Sequence, residues 1–178
     1  LGKEPFIVSA AEVRGIEVAM PYPSQIGADR IANAIAARNA YGSPVIVVDF
    51  GTATNIDVVD DRGAYRGGAI SPGLMLSANA LFGKAAKLAS IPVEAPEHAL
   101  GDTTETAMQS GLVIGAAAQA EGLVSRMKAE LGIEQAKVIG TGGLARTVSR
   151  ATDLFDAVDP TLTLRGIREI WLQQHGGA

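Results

Sequence analysis

One short segment limits the folds open to this chain more than any other. Residues 45–48, Val-Ile-Val-Val, form a continuously apolar run that ends at Asp49. Apolar residues at every position, rather than at alternate ones, are typical of a strand that is buried on both faces of a sheet. The sequence therefore predicts a central strand covered by helices on both sides, with a carboxylate at its carboxyl end.

The segments after Asp49 predict the rest of the architecture. Two more strands follow closely, over 54–59 and 64–70, and a turn at 60–63 joins them. The remaining segments are predicted to be helix 71–88 with Ser71 as N-cap and Pro72 at its first position, a long helix capped by Thr103 or Thr104 and ending near Gly132, strand 136–140, helix 143–150, strand 154–158 and helix 161–174. Three antiparallel strands followed by alternating helices and strands form the unit of the ribonuclease-H-like fold, an α/β fold shared by actins, sugar kinases and Hsp70-type ATPases.

Residues 1–44 do not form a second complete unit of this kind. They predict short strands at 6–8 and 15–20 and a helix over 24–41, which Gly42 follows. We therefore interpret 1–44 as the C-terminal part of a first actin-like lobe and 45–178 as a second, complete lobe.

The composition excludes several classes of site and partner. The chain has 178 residues and no cysteine, so disulfides, thiolate catalysis and cysteine-ligated metals are excluded. Its two histidines, His98 and His175, cannot form a multi-histidine metal site within one chain. A net charge of −4 argues against binding to nucleic acid. No apolar run approaches the roughly 20 residues of a membrane span, and no signal peptide is visible, so we expect a cytoplasmic protein without a membrane partner.

The first candidate for chemistry is the segment 49–54, Asp-Phe-Gly-Thr-Ala-Thr, which forms a tight turn between two predicted strands. Asp49 ends an apolar strand and can hold a cation, while Gly51 permits close approach and the hydroxyl of Thr52 can contact a phosphate. The same residues would also suit an ordinary hairpin in which the Asp and Thr side chains bind their own backbone.

A second candidate is the segment 27–30, Gly-Ala-Asp-Arg, at the start of a predicted helix. Asp29 can accept a proton from a hydroxyl group, and Arg30 offers a fork of donors for a carboxylate. The alternative is a helix whose N-terminal Asp complements the helix dipole and whose Arg lies on the surface.

Two glycine segments are further candidates, 67–73 (Gly-Gly-Ala-Ile-Ser-Pro-Gly) and 140–143 (Gly-Thr-Gly-Gly). In both, the missing side chains let a ligand or a second backbone come close, and the strand–turn–helix order at 140–143 can cradle a nucleotide. A purely structural turn is the alternative for each. Thr104 lies where a helix cap is the simpler interpretation.

Together and in this order, these segments resemble the type III pantothenate kinase family of the actin-like kinase superfamily. The resemblance covers essentially the whole chain, and it rests on 27–30, 49–54, 67–73, Thr104 with 108–111, and 141–144. It implies the phosphorylation of pantothenate by ATP, the first step of coenzyme A synthesis. Phosphoryl transfer needs mainly positioning and charge neutralisation, so glycines, hydroxyls and bound cations suffice without cysteine or histidine.

The resemblance also implies roles for the residues at the pantothenate site. Asp29 would be the general base that takes the proton from the primary hydroxyl of pantothenate. Gly27, Ala28, Asp29 and Arg30 would line the site, with Arg30 pairing with the substrate carboxylate. Thr104 would contact pantothenate from the neighbouring subunit of a homodimer.

Other matching residues imply nucleotide and cation sites. Gly51 and Thr52 would contact the ATP phosphates, and Gly142 and Gly143 would form the glycine turn on the nucleoside side. Asp49 would hold a monovalent cation, K⁺ or NH₄⁺, and Mg²⁺ would accompany the nucleotide. The expected partners are therefore pantothenate, ATP and a second copy of the chain.

The sequence departs from the family pattern at three places. Residues 20–22, Met-Pro-Tyr, stand where the family usually carries Tyr and then Asp-Asn before the proline that corresponds to Pro23, and Thr103 stands where Asn is common. The family's N-terminal Asp-x-Gly-Asn-Thr turn, which grips the ATP phosphates, has no counterpart in these 178 residues. We therefore expect this polypeptide to be a fragment that does not turn over ATP by itself. The alternatives are a non-catalytic regulatory or accessory relative, and another actin-like phosphotransferase acting on a sugar or a carboxylate.

Overall fold

Alternating helices and strands follow the order that the sequence predicts. The computed structural model describes residues 6–9, 13, 15–84 and 90–175. Its helices are α1 (Ala28–Tyr41), α2 (Leu74–Lys84), α3 (Thr104–Gln109), α4 (Gly115–Leu131), α5 (Ala145–Val148) and α6 (Leu162–His175). Its strands are β1 (Val45–Phe50), β2 (Ala53–Val59), β3 (Tyr65–Pro72), β4 (Lys137–Thr141) and β5 (Ala157–Val158). Within the described ranges, no helix combines the length and the apolar character needed to cross a bilayer.

The five strands form one mixed sheet in the order β3-β2-β1-β4-β5. The first three strands are antiparallel to one another, whereas β4 runs parallel to β1 and β5 runs parallel to β4. The buried run 45–48 lies in β1, the central strand, as its sequence predicts. This strand order and these directions are those of the ribonuclease-H-like unit, so the predicted fold class is confirmed.

Helices cover both faces of this sheet. Side chains alternate along β1, as in any strand: Ile46, Val48 and Phe50 pack against α2, α4 and α5 on one face. Val45 and Val47 belong to a second core, which α1 and α6 complete on the opposite face. The continuously apolar run is therefore explained, because neither face of the central strand meets water.

Helix α1 is deeply enclosed by the rest of the chain along its central part. Every residue of 31–37 is buried, since α1 packs against both the sheet and α6. Helix α6 contributes buried Leu162, Gly166 and Ile170, spaced four residues apart along one face. The structure thus places α1 in firm contact with the unit that follows it, and the lobe boundary at residue 44 stays a prediction.

The junction between β3 and α2 differs from the sequence-based prediction. A helix starting at Ser71-Pro72 is wrong, because β3 continues through Pro72, which pairs with Ala53 of β2. Pro72 is tolerated there because β3 is an edge strand and its missing N–H is not needed by a further strand. Helix α2 begins instead at Leu74, and the predicted extension over 85–88 lies outside the described residues.

Predictions at the other helix ends are mostly confirmed. Thr103 caps α3, since its Oγ1 accepts a hydrogen bond of 3.1 Å from the Thr106 N–H. The long predicted helix is present as α3 and α4, joined by a π-helical segment over Ser110–Ile114, and it ends at Gly132 in a left-handed conformation. The helix predicted over 24–41 is split into a 3₁₀ turn, Pro23–Gln25, and α1.

The two short strands predicted near the N-terminus are not formed as such. Residues 6–8 have no strand pairing, and the ring of Phe6 packs edge-on against His175 at 5.5 Å. Within 15–20, a single bridge joins Val18 to Tyr65 of β3. The pairing of 15–20 is limited to two backbone hydrogen bonds, from the Ala19 N–H to the Tyr65 carbonyl and from the Tyr65 N–H to the Glu17 carbonyl.

The side chain of Asp159, which follows β5, links this strand to α1 and α6 through hydrogen bonds. Its Oδ1 accepts hydrogen bonds from the N–H and the hydroxyl of Thr161, at 2.9 and 2.8 Å. Its Oδ2 accepts from Arg165 at 2.7 Å and from the hydroxyl of Tyr41 at 3.3 Å. Burial alone would raise the pKa of Asp159, but the Thr161 hydrogen bonds and the Arg165 charge outweigh it and lower the pKa below its usual range.

We predict that Asp159→Ala lowers the free energy of unfolding at pH 7 by about 2 kcal/mol, because four donors lose a charged acceptor. Since the pKa of Asp159 is lowered by folding, its stabilisation is present above the unfolded pKa of about 3.9 and is lost as the pH falls through the folded value. Urea unfolding at pH 7 and at pH 3 measures this. Asp153→Ala, at an exposed carboxylate, is the control, and an equal loss at both pH values would contradict the prediction.

We also predict that Gly166→Ala destabilises the fold by about 1–3 kcal/mol, because a Cβ at this position of α6 would collide with the Ala32 carbonyl of α1. The matched control is Gly115→Ala, where the new Cβ would meet no atom closer than 4.0 Å. This control should raise the stability by about 0.5–1 kcal/mol, as alanine favours helix. Thermal unfolding of both variants checks the two signs, and stabilisation by Gly166→Ala would be inconsistent with the packing described.

Candidate active site

Two predicted segments meet at the carboxyl end of the parallel β1–β4 pair. Asp49 and Thr141 are register partners there, and the chain turns directly after each of them. Gly142 has a φ of +90°, and a Cβ on it would collide with the carboxylate of Asp49. Only glycine fits this conformation and this space. The structure thus brings Asp49 and the turn at 140–143 into direct contact.

The residue that precedes α2, Gly73, packs against the hairpin turn between β1 and β2. The N–H of Gly73 donates to the Thr52 carbonyl at 3.2 Å, and a Cβ on Gly73 would collide with backbone oxygens of the turn. Gly51 and Thr52 are themselves exposed. The glycine that ends the segment 67–73 therefore permits a close backbone contact, and the turn presents Thr52 to solvent.

Asp49 is a buried carboxylate, and one of its two oxygens accepts a hydrogen bond from the protein. Its Oδ2 accepts a hydrogen bond of 2.9 Å from Nδ2 of Asn33, and its Oδ1 lies on the side of Gly142. Burial raises the pKa of Asp49, the Asn33 hydrogen bond lowers it, and the negative charge of Asp29 raises it further, so that the net shift is upward. A cation beside Oδ1 would relieve this unfavourable charge.

Asn33 links Asp49 to the last helix. It is fully buried in α1, and its Oδ1 accepts a hydrogen bond of 2.7 Å from the Thr163 hydroxyl of α6. Sequence analysis did not single out Asn33. The signal was present, because Asn33 is the one polar residue in the buried run 31–37 and lies four residues after Asp29, on the same face of the helix.

The segment 27–30 starts α1, with Gly27 as its N-cap. Asp29 is exposed in the first turn, where its Oδ1 accepts a hydrogen bond of 2.9 Å from the Arg30 N–H. A Cβ on Gly27 would lie 2.5 Å from that oxygen, so a larger residue there would crowd the carboxylate. Asp29 lies one helical turn before Asn33, whose side chain contacts Asp49, so Asp29 lies towards the carboxyl end of β1 on the face of the sheet that α1 covers.

Arg30 points down to the sheet and not away from it. Its Nε donates to Oδ1 of Asp57 at 2.9 Å, and its Nη2 lies 2.6 Å from the same oxygen in an ion pair. The hydroxyl of Tyr65 also donates to this oxygen, at 2.6 Å. Burial alone would lower the pKa of Arg30, but the hydrogen bond and the charge of Asp57 raise it overall. Burial and then the Asp57 charge raise the pKa of Tyr65, which therefore stays a hydrogen-bond donor at neutral pH.

Asp57 is the second residue that sequence analysis missed. It is completely buried in β2, on the α1 face, and its pKa is raised by burial against the opposing hydrogen bonds of Arg30 and Tyr65. Two hydrogen bonds and an ion pair on one oxygen are the pattern of an ionised carboxylate. The available signal was an acidic residue inside the apolar run 56–59, where burial of an unpaired charge would be costly.

Thr104 lies elsewhere on the molecule. It is exposed at the start of α3 and lines an open, mainly apolar groove of about 540 Å³ together with Leu81, Met108 and Leu112. Leu112 belongs to the core on the sheet face opposite α1. A single chain therefore does not bring Thr104 to Asp29, and the contact of Thr104 with a ligand from a partner subunit stays a prediction.

A cavity of about 390 Å³ opens beside the glycine turn. Its lining comprises Thr141, Gly142, Gly143, Arg146, Pro160 and Thr163. Thr163 is also the donor to Asn33, so this cavity adjoins the hydrogen-bonded chain that ends at Asp49. Across the ranges that the structure describes, no three Asp, Glu, His or Cys side chains gather as a metal-binding group.

Comparison with known proteins decides the family. Residues 1–126 match the family model described as type III pantothenate kinase. The chain belongs to this family. Type III pantothenate kinases from Agathobacter rectalis, Thermomicrobium roseum and Geobacillus kaustophilus are 48%, 47% and 46% identical to it over 96%, 97% and 94% of its length. The chain spans 66%, 66% and 65% of these relatives, so just under two thirds of each is matched.

Solved structures support the fold. The Baf family protein from Campylobacter jejuni, described as a putative transcriptional activator, superposes with a TM-score of 0.65 at 20% identity over 92% of this chain and 70% of its own. The Alp12 filament protein gives a TM-score of 0.50 at 10% identity over 83% of this chain and 53% of its own. At these identities the likeness concerns the fold alone, and the family assignment rests on the pantothenate kinase sequences.

Proposed function

We propose that this chain supplies the pantothenate site and part of the ATP site of a kinase that converts pantothenate to 4'-phosphopantothenate. The observation that carries the proposal is that exposed Asp29 lies at the start of α1, one helical turn before the Asn33 side chain that donates to buried Asp49. Asp49 in turn lies against the glycine turn at Gly142. A carboxylate base, a candidate cation ligand and a candidate phosphate-binding turn therefore share one end of the sheet.

Asp29 would act as the general base. Its carboxylate is exposed, and Gly27 leaves space beside it. We infer that Asp29 takes the proton of the primary hydroxyl of pantothenate while the hydroxyl oxygen forms a bond to the γ-phosphorus of ATP and the bond to the ADP oxygen breaks. Gly27, Ala28 and Arg30 would line the pantothenate site around this base, with Arg30 directed at the substrate carboxylate.

The two turns at the end of β1 and β4 suit a nucleotide. Gly142 and Gly143 have no side chains to block a nucleoside. Thr52 is exposed and offers its hydroxyl to a phosphate, while the N–H of exposed Gly51 donates to the Ala53 carbonyl at 3.1 Å and its missing side chain lets a phosphate come close. Mg²⁺ would be held mainly by the phosphates, which fits a described region without a cluster of three metal-ligating side chains. Bound metal would neutralise the charge that develops on the transferred phosphoryl group.

Asp49 would hold the monovalent cation, K⁺ or NH₄⁺. The residues fit such an ion, because a buried carboxylate with a raised pKa and a second carboxylate nearby leave an excess of negative charge. Asn33 restrains one oxygen of Asp49, so the other is the natural ligand. We further propose a homodimer in which the apolar groove around Thr104 faces a partner, which would let Thr104 contribute to the partner's pantothenate site.

The pantothenate site predicts a selective binding reaction for this chain. In calorimetry, pantothenate should release heat whereas acetate and hexoses should not, because only pantothenate offers both a hydroxyl to Asp29 and a carboxylate to Arg30. In the Asp29→Ala/Arg30→Ala double variant we expect affinity for pantothenate to fall by about 100-fold or more, since two charged contacts are lost.

A double variant on the hairpin turn provides the matched control. Asp61 and Arg62 are also adjacent and exposed, so Asp61→Ala/Arg62→Ala removes the same pair of charges away from the site. It should bind pantothenate like the unaltered chain. Heat with a hexose in place of pantothenate would argue for another phosphotransferase. Equal binding of pantothenate by both double variants would argue against an acceptor site at Asp29 and Arg30.

The cation site predicts that stability depends on K⁺ through Asp49. In choline chloride, Asp49→Asn should raise the melting temperature, because it removes a buried charge and keeps the acceptor for Asn33. The rise should be about 2–4 °C for each 1 kcal/mol gained in the free energy of unfolding. KCl in place of choline chloride should stabilise the unaltered chain and leave Asp49→Asn unchanged. Asp61→Asn, at an exposed carboxylate, should retain the KCl response. Identical melting in both salts for the unaltered chain would remove the case for Asp49 as a ligand.

A further inference from the structure

The orientation of Arg30 leaves a defined part of its guanidinium free. Asp57 accepts a hydrogen bond from Nε and forms an ion pair with Nη2, and these two nitrogens lie on one edge of the planar group. Nη1 has no hydrogen-bond partner in the part of the chain that the structure describes, yet it is not among the buried unpartnered atoms there, so it meets solvent. The outer edge, formed by Nη1 and the second proton of Nη2, therefore remains available.

That free edge has the geometry for binding a carboxylate. A guanidinium carries five N–H donors in a fixed fork, and two parallel donors from Nη1 and Nη2 match the two oxygens of a carboxylate. About 12% of the Arg30 side chain is exposed, whereas none of the Asp57 side chain is. One edge is thus used inside the fold, and the other faces outward next to Asp29.

Asp57 is itself held firmly. It lies in β2 opposite Val47 of the central strand, and the Tyr65 hydroxyl of the neighbouring strand β3 donates to the same Oδ1 that Arg30 uses. Tyr65 is completely buried. An arginine side chain free in solution would lose rotational entropy on binding a ligand, and this arrangement fixes it beforehand.

We propose that Asp57, supported by Tyr65, is a positioning residue that orients Arg30 so that its free guanidinium edge selects a substrate carboxylate. The inference rests on the proposed function, because it assigns to Arg30 the carboxylate of pantothenate. The inference adds two residues, Asp57 and Tyr65, that do not touch the substrate but set the specificity of the site for it.

A purely electrostatic role for Asp57 would have the opposite consequence. If Asp57 acted only as a negative charge, its removal would strengthen the binding of anionic pantothenate, because one repulsive charge would disappear. If Asp57 orients Arg30, its removal weakens that binding, because the guanidinium is no longer held in the receptive position. The sign of the effect therefore separates the two.

The experiment compares two ligands of the 178-residue chain by calorimetry. They are pantothenate and pantothenol, in which a primary alcohol replaces the carboxylate. We expect the unaltered chain to prefer pantothenate by about 10- to 100-fold, the range for a hydrogen-bonded charged pair. Asp57→Asn and Arg30→Lys should each lower this preference about tenfold or more, with little change for pantothenol. Asp61→Asn, at an exposed carboxylate on the β2–β3 turn, should change neither affinity.

Tyr65→Phe keeps every charge and the buried ring, so it tests orientation alone. It should lower the preference for pantothenate about two- to threefold, because it removes one of the two hydrogen bonds that Asp57 accepts and leaves the ion pair with Arg30 in place. Circular dichroism and urea unfolding establish that each variant is folded. If Asp57→Asn is unfolded, the result for Tyr65→Phe decides the question.

The outcomes distinguish this inference from the proposed function. Suppose that the unaltered chain prefers pantothenate. The positioning role is then overturned if a folded Asp57→Asn keeps or increases this preference. If Asp57→Asn does not fold, the role is overturned by a folded Tyr65→Phe with an unchanged preference, and in both cases the proposed function stands. If the unaltered chain binds both ligands equally, Arg30 does not select the carboxylate, and the inference fails. If it binds neither ligand, the inference and the proposed pantothenate site fail together.

Discussion

Two hydrogen-bonded contacts across the interface between α1 and the sheet organise this molecule. Arg30 of α1 binds Asp57 of β2, and three residues later Asn33 binds Asp49 of β1. Both contacts are surrounded by the apolar core that α1, α6 and the sheet share. Because a polar group buried without a partner is costly, each contact is tolerated only when α1 and the strands are correctly placed. The candidate active site is thus built from the same contacts that dock α1.

The charges at this end of the molecule are unevenly matched. Asp49 and Asp57 both contact α1, which carries Asp29 in its first turn, and Arg30 neutralises Asp57. Burial raises the pKa of both Asp49 and Asp57, and the nearby charge of Asp29 raises both further. A cation bound at Asp49, as proposed above, would relieve this excess of negative charge.

Much of the fold was predictable because it depends on local patterns. The apolar run 45–48 identified the central strand, and glycines marked the turns where backbones approach closely. The start of α2 was not predictable in the same way, because Ser71 and Pro72 read locally as a cap and a first helical residue. Their pairing with β2 in an edge strand overrides that local signal, and it depends on residues about 20 positions away.

Some residues of the candidate site were likewise predictable from local sequence, and others were not. Asp29, Asp49 and the glycine turns lie in segments whose sequence alone suggests chemistry, and the structure brings them to one end of the sheet. Asn33 and Asp57 escaped notice because their partners are 16 and 27 residues distant in the chain. Their spacing in α1 has a mechanical consequence. A slide of α1 by one turn, about 5.4 Å, towards its N-terminal end would bring Ala34 and Ala37 to the two aspartates, and neither alanine side chain can donate a hydrogen bond. The two contacts therefore resist such a slide and fix the axial position of Asp29 relative to the sheet.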